Sequence, residues 1–420
     1  MQAAHILRKY NPAEWGGTET AVLRLFDGLR AHDVRSIAYC PQLESDALDD
    51  PLTRAGHEVR RFNACVPVWG ISAENRRAMV AVGGNLLSFD LLWDLWREPK
   101  IDVVHVHTLN RLGGIGLTAA RLRGVPVVAQ IHGGVLDLPA STREFLDAPR
   151  RGGVEWGKMF GAALRSRRAL ECADAVIACN HKEARLLHER YPRQRILVQP
   201  HGVPMAEYAR DCRPAALEAF PTIRGRMIFL MAGRIDPVKN QAWVVEQAPE
   251  IFRRHPDAML VVAGSVTDRA YAEAMNQTIE RLGLRNKLLL TGPLPSGDAR
   301  LIGLMQCARA LILPSLSETF GLVILEAWAS GAPVIASRTS GALELVNDGE
   351  NGCLFDIGDA KAFQTAIDAL ASFPEAATQL GEAGKARAKA CYDTVALAAR
   401  IESLYGELIR AKSSRSKVTS

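Results

Sequence analysis

No run of the chain approaches the roughly 20 apolar residues that a bilayer-spanning helix requires, and the N-terminal MQAAHILRKYNP lacks the charged, apolar and small-residue order of a secretory signal. The expected location is the cytoplasm. No C-x-x-C pair occurs among the eight cysteines (Cys40, Cys65, Cys172, Cys179, Cys212, Cys307, Cys353 and Cys391), most of which sit among apolar neighbours. That excludes the usual zinc and disulfide frameworks and predicts reduced, mostly buried thiols. No G-x-G-x-x-G follows the first apolar run, which argues against a NAD-linked enzyme. No D-x-D pair stands after a strand to hold a divalent ion, so no metal and no cofactor is expected, nor is a nucleic-acid partner.

What is present is ordinary globular material, 48% apolar and 23% charged over 420 residues. At roughly 100–200 residues per domain, two domains are the default. Residues 1–200 carry 27 Lys and Arg against 22 Asp and Glu, a balance of +5, and residues 201–420 carry 24 against 24. The basic excess is therefore N-terminal. It is densest over 143–168, where Arg143, Arg150, Arg151, Lys158, Arg165, Arg167 and Arg168 face three acids. A solvated helix face is the simplest reading of that stretch; an anionic membrane surface or acceptor is the other.

Short apolar runs alternate with amphipathic stretches along the first half: AHILR, SIAYC, DVVHVHT (102–108), PVVAQIHG (126–133), AVIACN (175–180) and RILVQPHG (195–202). They read as buried parallel strands, with helical patterns such as 20–31 and 74–97 between them. The pattern restarts at MIFLMAGRI (227–235) and continues through 258–264, 287–294, 308–315 and 333–337. The expected fold class is α/β, with two Rossmann-like, doubly wound parallel-sheet domains facing across a cleft. The first domain is placed at 1–204, a linker at 205–226 and the second domain at 227–393. A helix over 394–411 is expected to cross back to the first domain, and 412–420 (KSSRSKVTS) to fray as a disordered tail.

Open parallel sheets bind ligands at the carboxyl ends of their strands, so the strand-end loops are where chemistry is sought. After the first strand, Gly16 and Gly17 precede a helix, a turn whose amides can approach an anion. In the second domain Gly233 and Arg234 end a strand, with Asp236, Pro237 and Lys239 following, and the two cations suit a doubly charged pyrophosphate. The strongest signal is the run from Ser315 to Gly331, SLSETFGLVILEAWASG, which follows a strand and opens a helix. Glu318 stands just before that helix and Glu326 about two turns in. Free amides near Phe320, Gly321 and Leu322 suit a phosphate, while carboxylates on either side can accept hydrogen bonds from hydroxyls. A nucleotide-sugar has that layout.

The E-x7-E spacing of Glu318 and Glu326, the E-x-F-G-L around Phe320, the G-x-P-V-I-A after Gly331, the G-R-x-D-P-x-K run from Gly233 to Lys239 and the N-terminal Gly-Gly cover nearly the whole chain. Together they resemble the retaining glycosyltransferases of GT-B fold known as glycosyltransferase family 4. The resemblance implies that Glu318 contacts hydroxyls of the donor sugar and Glu326 the ribose. It implies that Arg234 and Lys239 neutralise the pyrophosphate, near Gly17, Gly321 and Leu322, and that His132, in QIHGG, reaches an outer hydroxyl of the donor sugar. His107, Asn180 and His201 are weaker candidates for lining the acceptor side or the cleft, as is Ser340. The family often has N-G-V where this chain has His201-Gly202-Val203, and G-G-x-x-E where it has Ser340-Gly341-Ala342-Leu343-Glu344. Recognition of base and sugar is open at those departures.

The resemblance implies a retaining, metal-independent hexosyltransferase that uses a UDP- or GDP-sugar donor. Its acceptor would be a glycan, a lipid-linked intermediate at the inner membrane face or a small metabolite. Rival readings are a glycosidase built on the two glutamates, a nucleotide-sugar epimerase or phosphorylase of similar fold, and a non-catalytic nucleotide-sugar-binding scaffold.

Overall fold

A computed structural model describes residues 1–8, 16–42, 50–81, 86–133 and 153–419. It divides into two compact units, Met1–Pro200 with Val395–Ser420, and His201–Thr394.

The first unit carries β1 (Gln2–Ile6), β2 (Arg35–Pro41), β3 (Glu58–Phe62), β4 (Val68–Trp69), β5 (Val103–Val106), β6 (Val127–Gln130), β7 (Val154–Glu155), β8 (Ala175–Ala178) and β9 (Ile196–Val198). Among the described residues seven of these form one parallel sheet in the order β3-β2-β1-β5-β6-β8-β9, and β4 and β7 make a small antiparallel pair. β1, β5, β6 and β8 are buried at every position because helices cover both faces, and for that reason they read as mostly apolar runs. On one face Ala3, Val103, Val128 and Ile177 pack under Ala398, Ile401, Leu404 and Tyr405 of the helix Thr394–Thr419. The order of the strands reverses between β1 and β5, which is where such sheets hold ligands.

The second unit repeats the plan with β10 (Met227–Ala232), β11 (Ala258–Ala263), β12 (Leu288–Gly292), β13 (Ala308–Leu313), β14 (Val334–Ser337) and β15 (Cys353–Phe355), all parallel, in the order β12-β11-β10-β13-β14-β15. Its switch point lies between β10 and β13. The helix Leu322–Ala329 is fixed behind that point by Trp328, which is fully buried and donates its indole N–H to the Asn351 carbonyl at 3.0 Å. Gly384, on the helix Pro374–Cys391, makes the close packing there feasible: a Cβ at this position would lie 2.2 Å from Trp328 Cδ1.

Several expectations are revised. Residues 205–226, read as a linker without period, form the helices Met205–Tyr208 and Arg213–Ala219 and a 3₁₀ turn, Pro221–Ile223, within the second unit. A Cβ on Gly303 of the helix Ala299–Cys307 would sit 2.1 Å from the Cys212 carbonyl, so this segment is packed against the unit rather than strung past it. The stretch 412–419, expected to fray, continues the last helix, where Ser413 and Ser414 donate back to the carbonyls of Ile409 and Arg410. Where one helical pattern was read over 74–97 there are two helices, Ala73–Ala81 and Asp90–Arg97. All eight cysteines are free thiols, but only Cys40, Cys179 and Cys212 are fully buried, and Cys65 and Cys391 are exposed. Among the described residues no helix is long and apolar enough to cross a membrane.

Candidate functional site

In the second unit the loops that leave β10 and β13 are tied to each other. Gly233 ends β10 at φ +148°, a conformation that favours glycine. The chain then turns at Asp236, whose side chain accepts from the Lys239 backbone N–H at 3.0 Å and whose carbonyl accepts from the same N–H at 3.1 Å. Asn240, at φ +57°, donates from its side-chain amide to the Pro314 carbonyl at 3.2 Å, and Leu316 N–H donates to the Val238 carbonyl at 2.8 Å. This stitching carries the Lys239 ammonium to 2.5 Å from Glu318 Oε2, with both side chains mostly buried. Arg234 stands beside them, half exposed, paired with Asp236 at 3.1 Å. Two cations and two carboxylates thus meet at the switch point as two ion pairs. An anionic group at this point would compete with the two carboxylates for Lys239 and Arg234.

The same loop ends at Gly321, φ +89°, the N-cap of the helix Leu322–Ala329, and as a glycine it has no side chain with which to cap that helix. Its first amides and its positive end therefore face the loop. Glu318 is held from behind: Gly341 N–H donates to the Glu318 carbonyl at 2.7 Å, and Ser340 Oγ to the same carbonyl at 3.4 Å. Glu326 is nearly buried, and its Oε1 accepts from Ser296 Oγ at 2.8 Å, with Ser296 in turn 3.2 Å from the Tyr208 hydroxyl. The sequence reading missed Ser296 and Tyr208, and gave Gly341 only as part of a departure from the family's pattern. The first stands in the polar T-G-P-L-P-S-G turn that ends β12, a strand-end loop like the others, so its position was available as a signal. His201 lies in this unit too, its ring edge-on to Phe320 at 4.9 Å between centroids.

In the first unit the candidates separate. Gly16 caps the helix Gly17–Arg30, and its N–H donates to Glu19 Oε2 at 3.1 Å, so that amide is engaged by the chain itself. Asn180 caps the helix His181–Arg190, its side chain accepting from Glu183 N–H at 2.8 Å, which gives it a structural duty. Lys158, Arg165, Arg167 and Arg168 are described, with Arg168 paired to Glu171 at 2.8 Å. Arg143, Arg150 and Arg151 lie outside the described residues.

His132 and His107 are brought together. His107 Nδ1 is 2.8 Å from His132 Nε2, and His107 Nε2 is 3.0 Å from His5 Nδ1 on β1. His105 stacks on His107 at 4.3 Å and meets the Tyr405 hydroxyl at 2.5 Å. Nitrogens of His5, His105 and His107 fall within 4.8 Å of one another, close enough for a shared metal ion. Both nitrogens of His107 are already engaged with histidine neighbours, so the group is a hydrogen-bonded chain rather than a ligand set. Burial holds the His132 ring down to about 4, helped by the positive charge of Arg8. Burial, and then the neighbouring imidazoles, push His5 and His105 well below the ordinary histidine value.

Residues 16–202 match the family model described as "Glycosyl transferase 4-like domain", and residues 216–387 the model described as "Glycosyl transferases group 1". A D-inositol 3-phosphate glycosyltransferase of Streptomyces scabiei is 30% identical over 413 residues, covering 95% of this chain and 89% of that protein. One of the same description from Acidothermus cellulolyticus is 31% identical over 283 residues, and the match takes in 65% of this chain but only 60% of the relative's length. Among solved structures, Anabaena HepE in complex with UDP-glucose superposes with a TM-score of 0.69 at 18% identity, over 97% of this chain and 100% of that one. At that identity the likeness speaks for the GT-B fold alone.

Proposed function

Since the chain belongs to the GT-B glycosyltransferases of family 4, we propose that its second unit binds a nucleotide-diphosphate sugar at the β10/β13 switch point and that the protein transfers the sugar to an acceptor with retention of configuration. The observation that carries the reading is the Lys239–Glu318 pair at the foot of a helix whose N-cap is a glycine. Arg234, Lys239 and the amides of Gly321 and Leu322 would hold the pyrophosphate. Glu318 would take hydroxyls of the sugar and Glu326, with Ser296, those of the ribose. Gly17 and His132 are assigned by resemblance to the donor's phosphate and to an outer sugar hydroxyl. The bond from C1 to the leaving phosphate breaks, the acceptor oxygen bonds to C1 from the same face, and the acceptor proton passes to the departing phosphate oxygen. Charge on the leaving group is met by Arg234, Lys239 and the helix end, so no metal is required. A hexose on UDP or GDP is the favoured donor, in keeping with the UDP-glucose held by the Anabaena relative.

Binding of UDP, GDP and ADP to wild type, Glu326→Ala and Arg234→Ala tests the placement. Loss of one favourable charge-assisted contact predicts affinity reduced roughly 10- to 100-fold in each variant, and unchanged affinity in both would refute it. Turnover is expected to persist in excess EDTA; full loss, restored by magnesium or manganese, would end the metal-free reading.

The acceptor is proposed to lie at an anionic surface, in the cytoplasm at the inner membrane face. The sequence supplies the basic stretch, and the first unit exposes Trp69, Phe89, Trp93, Trp96 and Met159. Trp69 meets Trp156 at 6.0 Å, Trp156 meets Phe160 at 6.0 Å, and Phe160 meets Phe89 at 5.6 Å, one run of aromatic rings beside Lys158. Aromatic rings and basic heads at about 1 kcal/mol per Lys or Arg suit an anionic lipid headgroup layer. Sedimentation with anionic vesicles is expected at low salt. It should weaken at high salt and when Arg150, Arg151, Arg165, Arg167 and Arg168 are neutralised. Equal, negligible binding to anionic and neutral vesicles would leave a soluble acceptor, such as a sugar phosphate.

A further inference from the structure

Glu326 is reached by a chain of hydroxyls that begins at Tyr208, 88 residues before Ser296. Its Oε1 accepts from Ser296 Oγ at 2.8 Å, and Ser296 Oγ lies 3.2 Å from the Tyr208 hydroxyl. A hydroxyl carries one proton and can accept two, whereas a carboxylate only accepts. Ser296 therefore spends its proton on Glu326, and the contact with Tyr208 runs the other way, with Tyr208 as the donor. The reverse order, Ser296 donating to Tyr208, would set a serine lone pair against a carboxylate oxygen at 2.8 Å. A hydroxyl that accepts becomes a stronger donor in turn, so the phenol reinforces the hold of the serine on Glu326.

The backbone that bears both hydroxyls is itself held at several points. Tyr208 ends the helix Met205–Tyr208 and is fully buried. Gln306 lies on the helix Ala299–Cys307, which follows the turn of Ser296. Its Nε2 donates to the carbonyls of Tyr208 at 3.2 Å and Arg210 at 2.6 Å, and its Oε1 accepts from Cys212 N–H at 2.8 Å. Gly297 follows Ser296 at φ +83°, and a Cβ there would lie 2.5 Å from Glu207 Oε1, so no side chain fits between the turn and the helix Met205–Tyr208. We infer that Tyr208 and Ser296 are positioning residues that lock the Glu326 side chain in the rotamer that meets the ribose, and so set the affinity of the second unit for a nucleotide. The inference rests on the proposed placement of Glu326 at the ribose.

Titration calorimetry with UDP, and with GDP and ADP in parallel, tests it on wild type, Tyr208→Phe, Ser296→Ala, Glu326→Ala and the two double variants that add Tyr208→Phe or Ser296→Ala to Glu326→Ala. Each of the first two substitutions removes a single oxygen and leaves the packing in place. Affinity for the nucleotide bound best should fall roughly 3- to 10-fold in Ser296→Ala and roughly 2- to 5-fold in Tyr208→Phe, less in each than in Glu326→Ala. On the Glu326→Ala background neither should cost anything further, because both act through the carboxylate. Losses of the same size on both backgrounds would mean that the two hydroxyls act on the ligand directly or on the unit at large, and would overturn the inference. Wild-type affinity in both Tyr208→Phe and Ser296→Ala, with weak binding in Glu326→Ala, would overturn it too but leave the ribose placement standing. Wild-type affinity in Glu326→Ala would overturn both.

Discussion

Replacing Gly341 by alanine is expected to lower kcat/KM by at least about 100-fold while costing only roughly 1–3 kcal/mol of stability, the range for an overpacked contact. The position is not one of positive φ; the argument is space. A Cβ on Gly341 would lie 2.7 Å from Phe320 N and 2.8 Å from both the Glu318 carbonyl oxygen and Phe320 C, all of them backbone atoms that cannot rotate away. The loop 315–321 must move off the helix Ser340–Leu345, and the 2.7 Å hydrogen bond from Gly341 N–H to the Glu318 carbonyl goes with it. Glu318 then leaves Lys239, and the amides at the start of the helix Leu322–Ala329 shift from any phosphate they hold. Displacements of this order at a reacting centre are worth about two orders of magnitude in rate. Gly283→Ala is the control: φ is +67° and nothing lies within 4 Å of a Cβ, so it strains the backbone without touching the site. Steady-state kinetics and urea unfolding of the two variants separate the effects. Comparable losses of activity in both would mean that general destabilisation, not the loop, governs turnover.

Gly341 also shows where sequence reading stops. Strand-end loops are legible because buried parallel strands announce themselves as apolar runs and their ends as Gly and charge. Gly233, Arg234, Lys239, Glu318 and Gly321 were therefore read as strand-end residues, and the structure places them in the loops that leave β10 and β13. The S-G at 340–341 read only as a departure from the family's usual pattern, since its closeness to Glu318 is set by the packing of a helix against a loop some 20 residues earlier in the chain. The strand β3, EVRRF, has no apolar run to mark it. It is the edge of its sheet, where charge is favoured, and Arg60 reaches from it to Glu58 and Glu98. The helices in 205–226 have four and seven residues, too short for a period of 3.6 to repeat clearly. Least legible was the chain of histidines. In the sequence His5 is one polar residue in an apolar run, and nothing local links it to a ring 102 residues away.

Those rings should also make the protein acid-sensitive. His5, His105 and His132 are held below the ordinary histidine value by burial, His132 at about 4, so the folded chain keeps all three neutral well into mild acid. The unfolded chain takes up a proton at each as pH falls through about 6.5. Below that pH the unfolded state binds more protons than the folded one, so stability is fully present above about 6.5 and is lost as pH falls toward the depressed folded values. Between pH 7.5 and 5.5 each ring costs on the order of 1 kcal/mol and the three together a few kcal/mol, which is a large part of the roughly 5–15 kcal/mol that holds an ordinary domain. Exposed ion pairs are each worth at most about 1 kcal/mol, too little to mask it. Urea-unfolding midpoints at the two pH values measure the difference. His105→Gln should be less stable than wild type at pH 7.5, having lost the contact with the Tyr405 hydroxyl, yet should show a pH difference smaller by about a third. A wild type equally stable at both pH values would mean that the rings accept protons in the folded state, and that the core around β1 and β5 is open enough to solvate them.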